Sequence, residues 1–250
     1  MRRTEHFLLL TWLLSTGLVA AGAWIIVDQG LLHYLLATDR SYVSLVVIAM
    51  YFIGLAHSFG RTLYLSGELN KMAAMERSLD PGDNRPLGLA ESGLTDPLGA
   101  VMPRGFLSDF LTDLARARRG QAPGNADEFE SAADLLEAAA ARIRSQIEFG
   151  WFLIDLMLKV GFLGTLIGFI WMLASVSQHA VIDAASMLNI LKEMSYGMST
   201  ALNTTLSSLV GGILLSLPYY LLGRGLDELV EVTVRLTRVE ILPRLEMAIP

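Results

Sequence analysis

The sequence predicts an all-α membrane protein with four transmembrane helices and long cytoplasmic helical extensions. Of its 250 residues, 53% are hydrophobic and the mean hydropathy is +0.48, which is more apolar surface than a soluble domain of this size can cover. Four segments are long enough to cross about 30 Å of hydrocarbon at about 1.5 Å per residue. They are Phe7–Val27, Tyr42–Phe59, Trp151–Val176 and Ser199–Leu222. The last two carry small and hydroxyl residues where lipid-facing helices carry leucine, which predicts a polar helix hairpin packed inside an oligomer.

The basic residues predict the topology. Two arginines precede the first segment, ten basic residues fall between Arg61 and Arg144, and four arginines follow the fourth segment. The two connections on the other side carry only Arg40 and Lys192, while Lys159 lies inside the third segment. The positive-inside rule therefore places both termini and the long middle loop in the cytoplasm.

The first segment has a second interpretation as a secretory signal, because Arg2 and Arg3 precede an apolar run that contains Ala21-Gly-Ala23. The apolar core of a signal is about 7–15 residues long, which is shorter than Phe7–Val27. A retained helix is therefore favoured. Removal of a signal would leave the rest of the topology unchanged.

Composition excludes several classes of function. The chain has no cysteine, so disulfides, thiolate nucleophiles and cysteine metal sites are excluded. A net charge of -6 argues against a surface that follows nucleic-acid phosphates. The sequence has no phosphate-binding loop, zinc-protease motif or hydrolase serine motif. We therefore expect no enzymatic activity, no bound metal and no cofactor apart from a transported ion.

The predicted organisation has four parts, namely helices one and two in 1–60, a cytoplasmic helical loop in 61–149, the hairpin of helices three and four in 150–223, and a C-terminal cytoplasmic helix in 224–250. Helix two should continue through Arg61–Leu79, where apolar residues recur at helical spacing, and should end at Asp80-Pro81-Gly82. Between that point and Gly105 the composition predicts little regular structure.

Further helices are predicted on both sides of the hairpin. Phe106–Arg119 is amphipathic, and Asn125 with Glu128 resembles a capping box. The segment Asp127–Phe149 contains no proline or glycine, so it should run directly into helix three. Arg224–Met247 predicts another amphipathic segment. These extensions either pack on one another or form a surface for a cytoplasmic partner.

Small and polar residues dominate the hairpin. Gly161, Gly164 and Gly168 allow close approach of a neighbouring backbone. Helix four carries two adjacent stripes, Thr200, Thr204, Ser207 and Gly211, and Ala201, Thr205, Ser208, Gly212 and Ser216. The hydroxyls either bond back to carbonyls of their own helix and permit packing, or line an aqueous path with Asn203. As a set they favour the path.

The motifs resemble one known family. Gly161-Phe-Leu-Gly-Thr-Leu-Ile-Gly168 is similar to the Gly-x-x-Gly-Thr-x-x-Gly segment of the MotA/TolQ/ExbB proton-channel family. The run from Gly197 to Leu209 is similar to the family segment that opens the following helix. The resemblance covers roughly 148–222, and the four-helix count resembles the MotA branch more than the TolQ and ExbB branch. Ser208 in place of the usual glycine and a later proline, Pro218, depart from the pattern.

The resemblance implies an oligomeric ring, expected to be a homo-pentamer, in the bacterial inner membrane. It would surround two copies of a single-span subunit similar to MotB, TolR or ExbD, which brings an aspartate that carries the ion. It also implies that Thr165 and Thr205 are pore-facing hydroxyls, with Thr204, Ser208 and Asn203 along the ion path and Gly211 and Gly212 in helix packing. If helix four begins near Met194, both threonines lie eleven residues from the periplasmic ends of their helices.

Charged residues near the cytoplasmic end of the third segment have two interpretations. Asp155 and Lys159 are spaced i, i+4 and can form an interfacial ion pair. Alternatively, Asp155 or Glu148 receives protons at the cytoplasmic mouth of the pore. His57 is close to the same side, where an isolated histidine is typically a polar anchor.

The leading hypothesis is an ion-conducting stator-type subunit that couples inward proton or sodium flow to movement of a partner. A second hypothesis is a non-conducting oligomeric scaffold that recruits partners through its cytoplasmic helices. A small-molecule carrier is disfavoured because the sequence has no inverted repeat. The choice of ion and the process that is powered stay open.

Overall fold

The computed structural model describes residues 7–78, 88–90, 93–95, 105–119, 127–177 and 184–237. Within these residues the chain forms six helices and one two-stranded ladder, and the bounds are α1 Phe7–Asp28, α2 Leu31–Thr38, α3 Val43–Ser78, β1 Gly88–Ala90, β2 Gly93–Thr95, α4 Phe106–Arg119, α5 Asp127–Ser177 and α6 Ala184–Leu236. Four helices, α1, α3, α5 and α6, are long and apolar enough to cross a membrane. The prediction of an essentially helical chain with four candidate spans is confirmed.

The helix bounds agree with the sequence analysis for α1, α3, α4 and α5. The exception is α6, which begins at Ala184 rather than near Met194 and continues without a break through Pro218 to Leu236. The predicted start is therefore wrong, and the segment from Arg224 is the end of α6 rather than a separate helix. A proline inside a helix removes one backbone donor and crowds the carbonyl four residues earlier, yet α6 continues through Pro218.

Two short elements were not predicted. Helix α2 follows Gly30, whose φ of 70° ends α1 in the left-handed region that glycine adopts without strain. The ladder pairs Gly88 with Thr95 and Ala90 with Gly93 in antiparallel register. The other residues between Leu79 and Arg104, the predicted cap at Asn125 and the segment after Thr237 lie outside the described residues.

The contacts divide the chain into two units, which are described separately. The span unit contains Thr11–Gly60 and Glu148–Tyr220, and the extension unit contains Met1–Leu10, Arg61–Ile147 and Leu221–Pro250. The assignment of their segments to membrane and cytoplasm stays a prediction.

In the span unit, α3, α5 and α6 share one packed region. Met157 and Leu215 are fully buried, and Leu153 is nearly so. Gly54 of α3 permits this packing, because a β-carbon there would lie 2.6 Å from Leu215 and 3.0 Å from Leu153. The outward faces of the same helices expose large apolar side chains, as expected for segments covered by lipid or by other subunits.

In the extension unit, α3, α4 and α6 pack on one another. Leu65, Met72, Leu111 and Leu229 are buried, and the Thr233 hydroxyl lies 3.7 Å from the Met72 sulfur. An exposed ion pair joins Arg235 to Glu76 at 2.5 Å. The interpretation that the extensions pack mutually therefore describes this part of the molecule.

Glu68 fixes the beginning of α4. Its side chain is 5% exposed, and one carboxylate oxygen accepts a hydrogen bond from the Phe106 backbone N–H at 2.6 Å. The other oxygen accepts from the Lys71 ammonium at 2.7 Å. The first turn of a helix has no intrahelical partner for its N–H groups, so Glu68 of α3 supplies the cap of α4 from a distant part of the sequence.

Glu68→Gln should therefore loosen α4. Glutamine has one acceptor oxygen and no charge, so it cannot serve both the Phe106 N–H and the Lys71 ammonium, and the extension unit should lose about 1–3 kcal/mol of stability. Hydrogen exchange across Phe106–Arg119 should accelerate. Glu76→Gln is the matched control, because the exposed pair with Arg235 contributes about 0–1 kcal/mol. Equal exchange in α4 for both variants would contradict the capping role.

Candidate functional site

The small residues of α5 and α6 meet face to face in the span unit. A β-carbon added at Gly161 would fall inside the Ser208 side chain, and one added at Gly164 would lie 2.7 Å from the Thr204 β-carbon. Thr204 and Ser208 are buried as a result. These two hydroxyls occupy the spaces that the absent glycine side chains leave.

The closest backbone approach lies one turn further along α5. A β-carbon at Gly168 would lie 2.6 Å from both the Ala201 nitrogen and the Gly197 carbonyl oxygen, and one at Gly197 would lie 2.8 Å from the Gly168 carbonyl oxygen. The approach is thus reciprocal. Gly197 was quoted in the second motif without a packing role, and its small-xxx-small spacing with Ala201 is the signal that could have identified it.

Thr165 of α5 and Thr205 of α6 meet beside this seam. Their hydroxyl oxygens are in direct hydrogen-bonding contact. Both hydroxyl oxygens also lie near backbone oxygens, Thr165 at 3.2 Å from Gly161 and Thr205 at 3.1 Å from Ala201. Because each hydroxyl has one hydrogen, one threonine donates to the other, and the second donates to a carbonyl. The Thr165 hydroxyl lies 3.5 Å from the same Ala201 oxygen. Two hydroxyl and two carbonyl oxygens therefore converge at one point of the hairpin, and both threonines are partly exposed.

Thr204 shares the Ala201 oxygen at 3.0 Å but is buried, and the partly exposed Asn203 and Ser207 lie apart from the group. Asn203 is two residues from Thr205, which is about 200° around a helix with 3.6 residues per turn, so it projects from another face. Its amide nitrogen lies 3.4 Å from the Ser199 hydroxyl. The Ser207 hydroxyl donates to the Asn203 carbonyl at 2.8 Å. The assignment of Asn203, Thr204 and Ser208 to an ion path stays a prediction.

Packing against α5 also accounts for Gly211 and Gly212 of α6. A β-carbon at Gly211 would lie 2.8 Å from the Met157 methyl, and one at Gly212 would lie 3.3 Å from Leu158. Both distances involve ends of flexible side chains. These glycines therefore contact α5 less tightly than Gly168 does.

The connection between α1 and α3 is fastened to α6 at the other end of the hairpin. Asp39 caps α3 by accepting the Ser44 N–H at 2.7 Å, and Thr200 donates to the Thr38 carbonyl at 3.3 Å. Arg40 pairs with Glu193 at 3.1 Å, and its guanidinium lies 5.5 Å from the centre of the Tyr196 ring. The Arg40–Glu193 pair thus reaches the part of α6 before Met194.

His57 belongs to a polar contact that the sequence did not indicate. Its Nδ1 lies 2.8 Å from the Tyr219 hydroxyl, which donates to the Gly54 carbonyl at 3.1 Å. The Tyr219 ring is fully buried and occupies the position where Gly150 lacks a side chain. The centre of the Phe149 ring lies 5.2 Å from that of the imidazole. His57 is therefore a packed residue rather than an isolated anchor.

The two acidic residues of α5 that were predicted to receive protons are exposed. Asp155 accepts a hydrogen bond from Lys159 at 2.5 Å, and Glu148 lies two turns earlier on α5. Among the described residues, no group of three or more histidine, aspartate or glutamate side chains is placed to hold a metal ion.

Comparison with known proteins identifies the family. The model of the MotA/TolQ/ExbB proton channel family matches residues 109–234, which is half of the chain and includes α5 and nearly all of α6. The comparisons with curated proteins and with solved structures each gave no match. The matched region contains both glycine motifs, the Thr165–Thr205 contact and the two longest candidate spans. The chain therefore belongs to the MotA/TolQ/ExbB proton channel family.

Proposed function

We propose that this protein is the ion-conducting subunit of a stator-type complex in a bacterial inner membrane, with Thr165 and Thr205 at the ion path. The observation that carries the proposal is the convergence of two hydroxyl and two carbonyl oxygens on a partly exposed side of the hairpin. Oxygen atoms of this kind can replace the hydration of a small cation or relay a proton, and they add no fixed charge to the membrane.

The rest of the complex follows from the family. We propose a homo-pentamer of this chain around two copies of a single-span subunit similar to MotB, TolR or ExbD, whose aspartate would approach the threonine pair. An elementary charge that crosses 100 mV releases about 2.3 kcal/mol, which can drive movement of one ring of helices against another in repeated steps. The proposed topology has both termini in the cytoplasm, and four spans favour the MotA branch.

Within the proposal, Thr204 and Ser208 serve packing rather than conduction. Their side chains are buried against Gly164 and Gly161, and their hydroxyls donate to carbonyls of their own helix at 3.0 Å and 2.9 Å. This arrangement satisfies both hydroxyls without a cation. Of these four hydroxyls, those of Thr165 and Thr205 are the partly exposed ones and then offer oxygens to an ion.

The test is ion flux through the complex isolated with its co-purifying subunits and reconstituted in vesicles. Thr205→Val and Thr165→Val keep the side-chain shape and remove the hydroxyl, so flux of protons or sodium should fall by about tenfold or more. Ser207→Ala is the matched control, since it removes a hydroxyl on another face of α6. Native mass of the complex verifies assembly.

The result that would overturn the proposal is unchanged flux in both threonine variants with assembly intact. A non-conducting scaffold is the alternative. It is favoured by carbonyl oxygens of the same helix that lie within hydrogen-bonding distance of five hairpin hydroxyls, those of Thr165, Thr204, Thr205, Ser207 and Ser208. It predicts no specific flux in the wild-type complex. It also predicts that Thr205→Val, Thr165→Val and Ser207→Ala behave alike.

A further inference from the structure

We propose that Asp155 and Lys159 form a cation-release element of the ion path, in which Asp155 receives the cation and Lys159 limits how tightly it is held. This inference rests on the proposed function. It goes beyond the threonine site, because it assigns a role to the only two charged residues of the third predicted span.

The pair lies away from the packed side of α5. Met157, Gly161, Gly164 and Gly168 are buried on that side. Lys159 is nine residues from Gly168, which is about 180° around the helix axis. In the protomer, the side chains of Lys159 and Asp155 are 71% and 55% exposed. The two charges therefore point outward from a helix that is otherwise apolar at this level.

Charges in such a position need water or polar groups around them. Ionisable residues within membrane segments face a water-filled path or another polar group rather than acyl chains, because their desolvation is costly. Asp155 is ten residues before Thr165, which corresponds to about 15 Å along the axis and about 80° around it. Both residues are thus on the same half of α5, and a cation that leaves Thr165 toward the helix start moves in the direction of Asp155.

The ion pair is suited to transient binding. Side chains on a helix tilt toward its N-terminus, so Lys159 reaches back and donates to one Asp155 oxygen at 2.5 Å. A cation that arrives at the carboxylate displaces the ammonium, which stays nearby and repels it. Conduction requires sites that bind strongly enough to be entered and weakly enough to be left. After the cation leaves, the ammonium returns to the carboxylate.

The experiment measures flux through the reconstituted complex as a function of cation concentration. Asp155→Asn should lower maximal flux by about tenfold, because the receiving charge is absent, and Asp155→Glu should retain most of it. Lys159→Met keeps the chain length and removes the repelling charge. It should lower the half-saturating cation concentration by about tenfold and also lower the maximal rate, since release becomes slower.

A charge exchange distinguishes this role from a structural ion pair. The double variant Asp155→Lys with Lys159→Asp keeps an i, i+4 pair but moves the carboxylate, so flux should be lost while the native mass is unchanged. Wild-type flux in this variant, or in Asp155→Asn, would overturn the inference. If Thr205→Val abolishes flux while Asp155→Asn and the charge-exchange double variant conduct normally, only this inference fails. If the wild-type, Thr205→Val and Thr165→Val complexes conduct equally with assembly intact, the proposed function fails.

Discussion

Replacing Tyr219 with alanine is expected to destabilise the span unit by about 3–5 kcal/mol, the range for removing a large buried ring. The ring is fully buried, and Gly150 of α5 provides the space that it fills. Its hydroxyl joins α6 to α3 through the Gly54 carbonyl and His57. The substitution would therefore leave a cavity and two polar groups without this partner.

The neighbouring tyrosine offers a matched control. Tyr220 is 55% exposed, so Tyr220→Ala removes the same number of atoms without opening a cavity. Unfolding of the purified protein by SDS in mixed micelles would compare the two variants. Tyr219→Phe should retain most of the stability and lose about 1–3 kcal/mol for the missing hydroxyl. Equal stability of the Tyr219→Ala and Tyr220→Ala proteins would show that the ring does not hold these helices together.

Gly168→Ala is expected to have the second large effect, although it adds a single methyl group. That carbon would lie 2.6 Å from two backbone atoms of α6, which cannot move without moving the helix. Overpacking of this kind costs about 1–3 kcal/mol. Because Thr165 and Thr205 lie beside this contact, separation of the helices should also break their hydrogen bond and reduce ion flux.

Gly22→Ala is the control for helix propensity. Gly22 lies in α1, where nothing is within 4 Å of an added β-carbon, so alanine should be neutral or stabilising by about 0.5–1 kcal/mol. Unfolding midpoints and flux can be measured on the same preparations. A Gly168→Ala protein as stable and as active as Gly22→Ala would contradict the close approach of α5 and α6.

Much of the fold could be predicted because the relevant signals are local. Long apolar runs identify α1, α3, α5 and α6, and amphipathic spacing identifies α4. The errors occur where local signals are absent or misleading. The residues before Met194 include Lys192 and Glu193, which mark the end of a span but not the end of a helix, and Glu193 is held by Arg40 from a distant loop. Pro218, which departs from the family pattern, lies inside α6 and does not end it.

The site shows the same division. The family resemblance indicated Thr165 and Thr205, small-residue spacing indicated the glycines, and the two hydroxyls are in contact. It did not separate Thr205 from Thr204, which is one residue away and buried against Gly164. The role of Tyr219 was also missed, since a tyrosine near the end of an apolar segment is typical of a membrane interface.

The sequence by itself determined the membrane class, the four spans and the two small-residue motifs, because length, hydropathy and glycine spacing are properties of single segments. Only the tertiary structure decided which hydroxyls meet across the hairpin, which are buried against glycines, and that Glu68 and Tyr219 join helices distant in sequence. The reason is that the position of a residue along a helix decides only on which face of that helix it lies. Which face meets which neighbour depends on the packing of several helices at once, and here that packing is set by close contacts at Gly150, Gly161, Gly164 and Gly168.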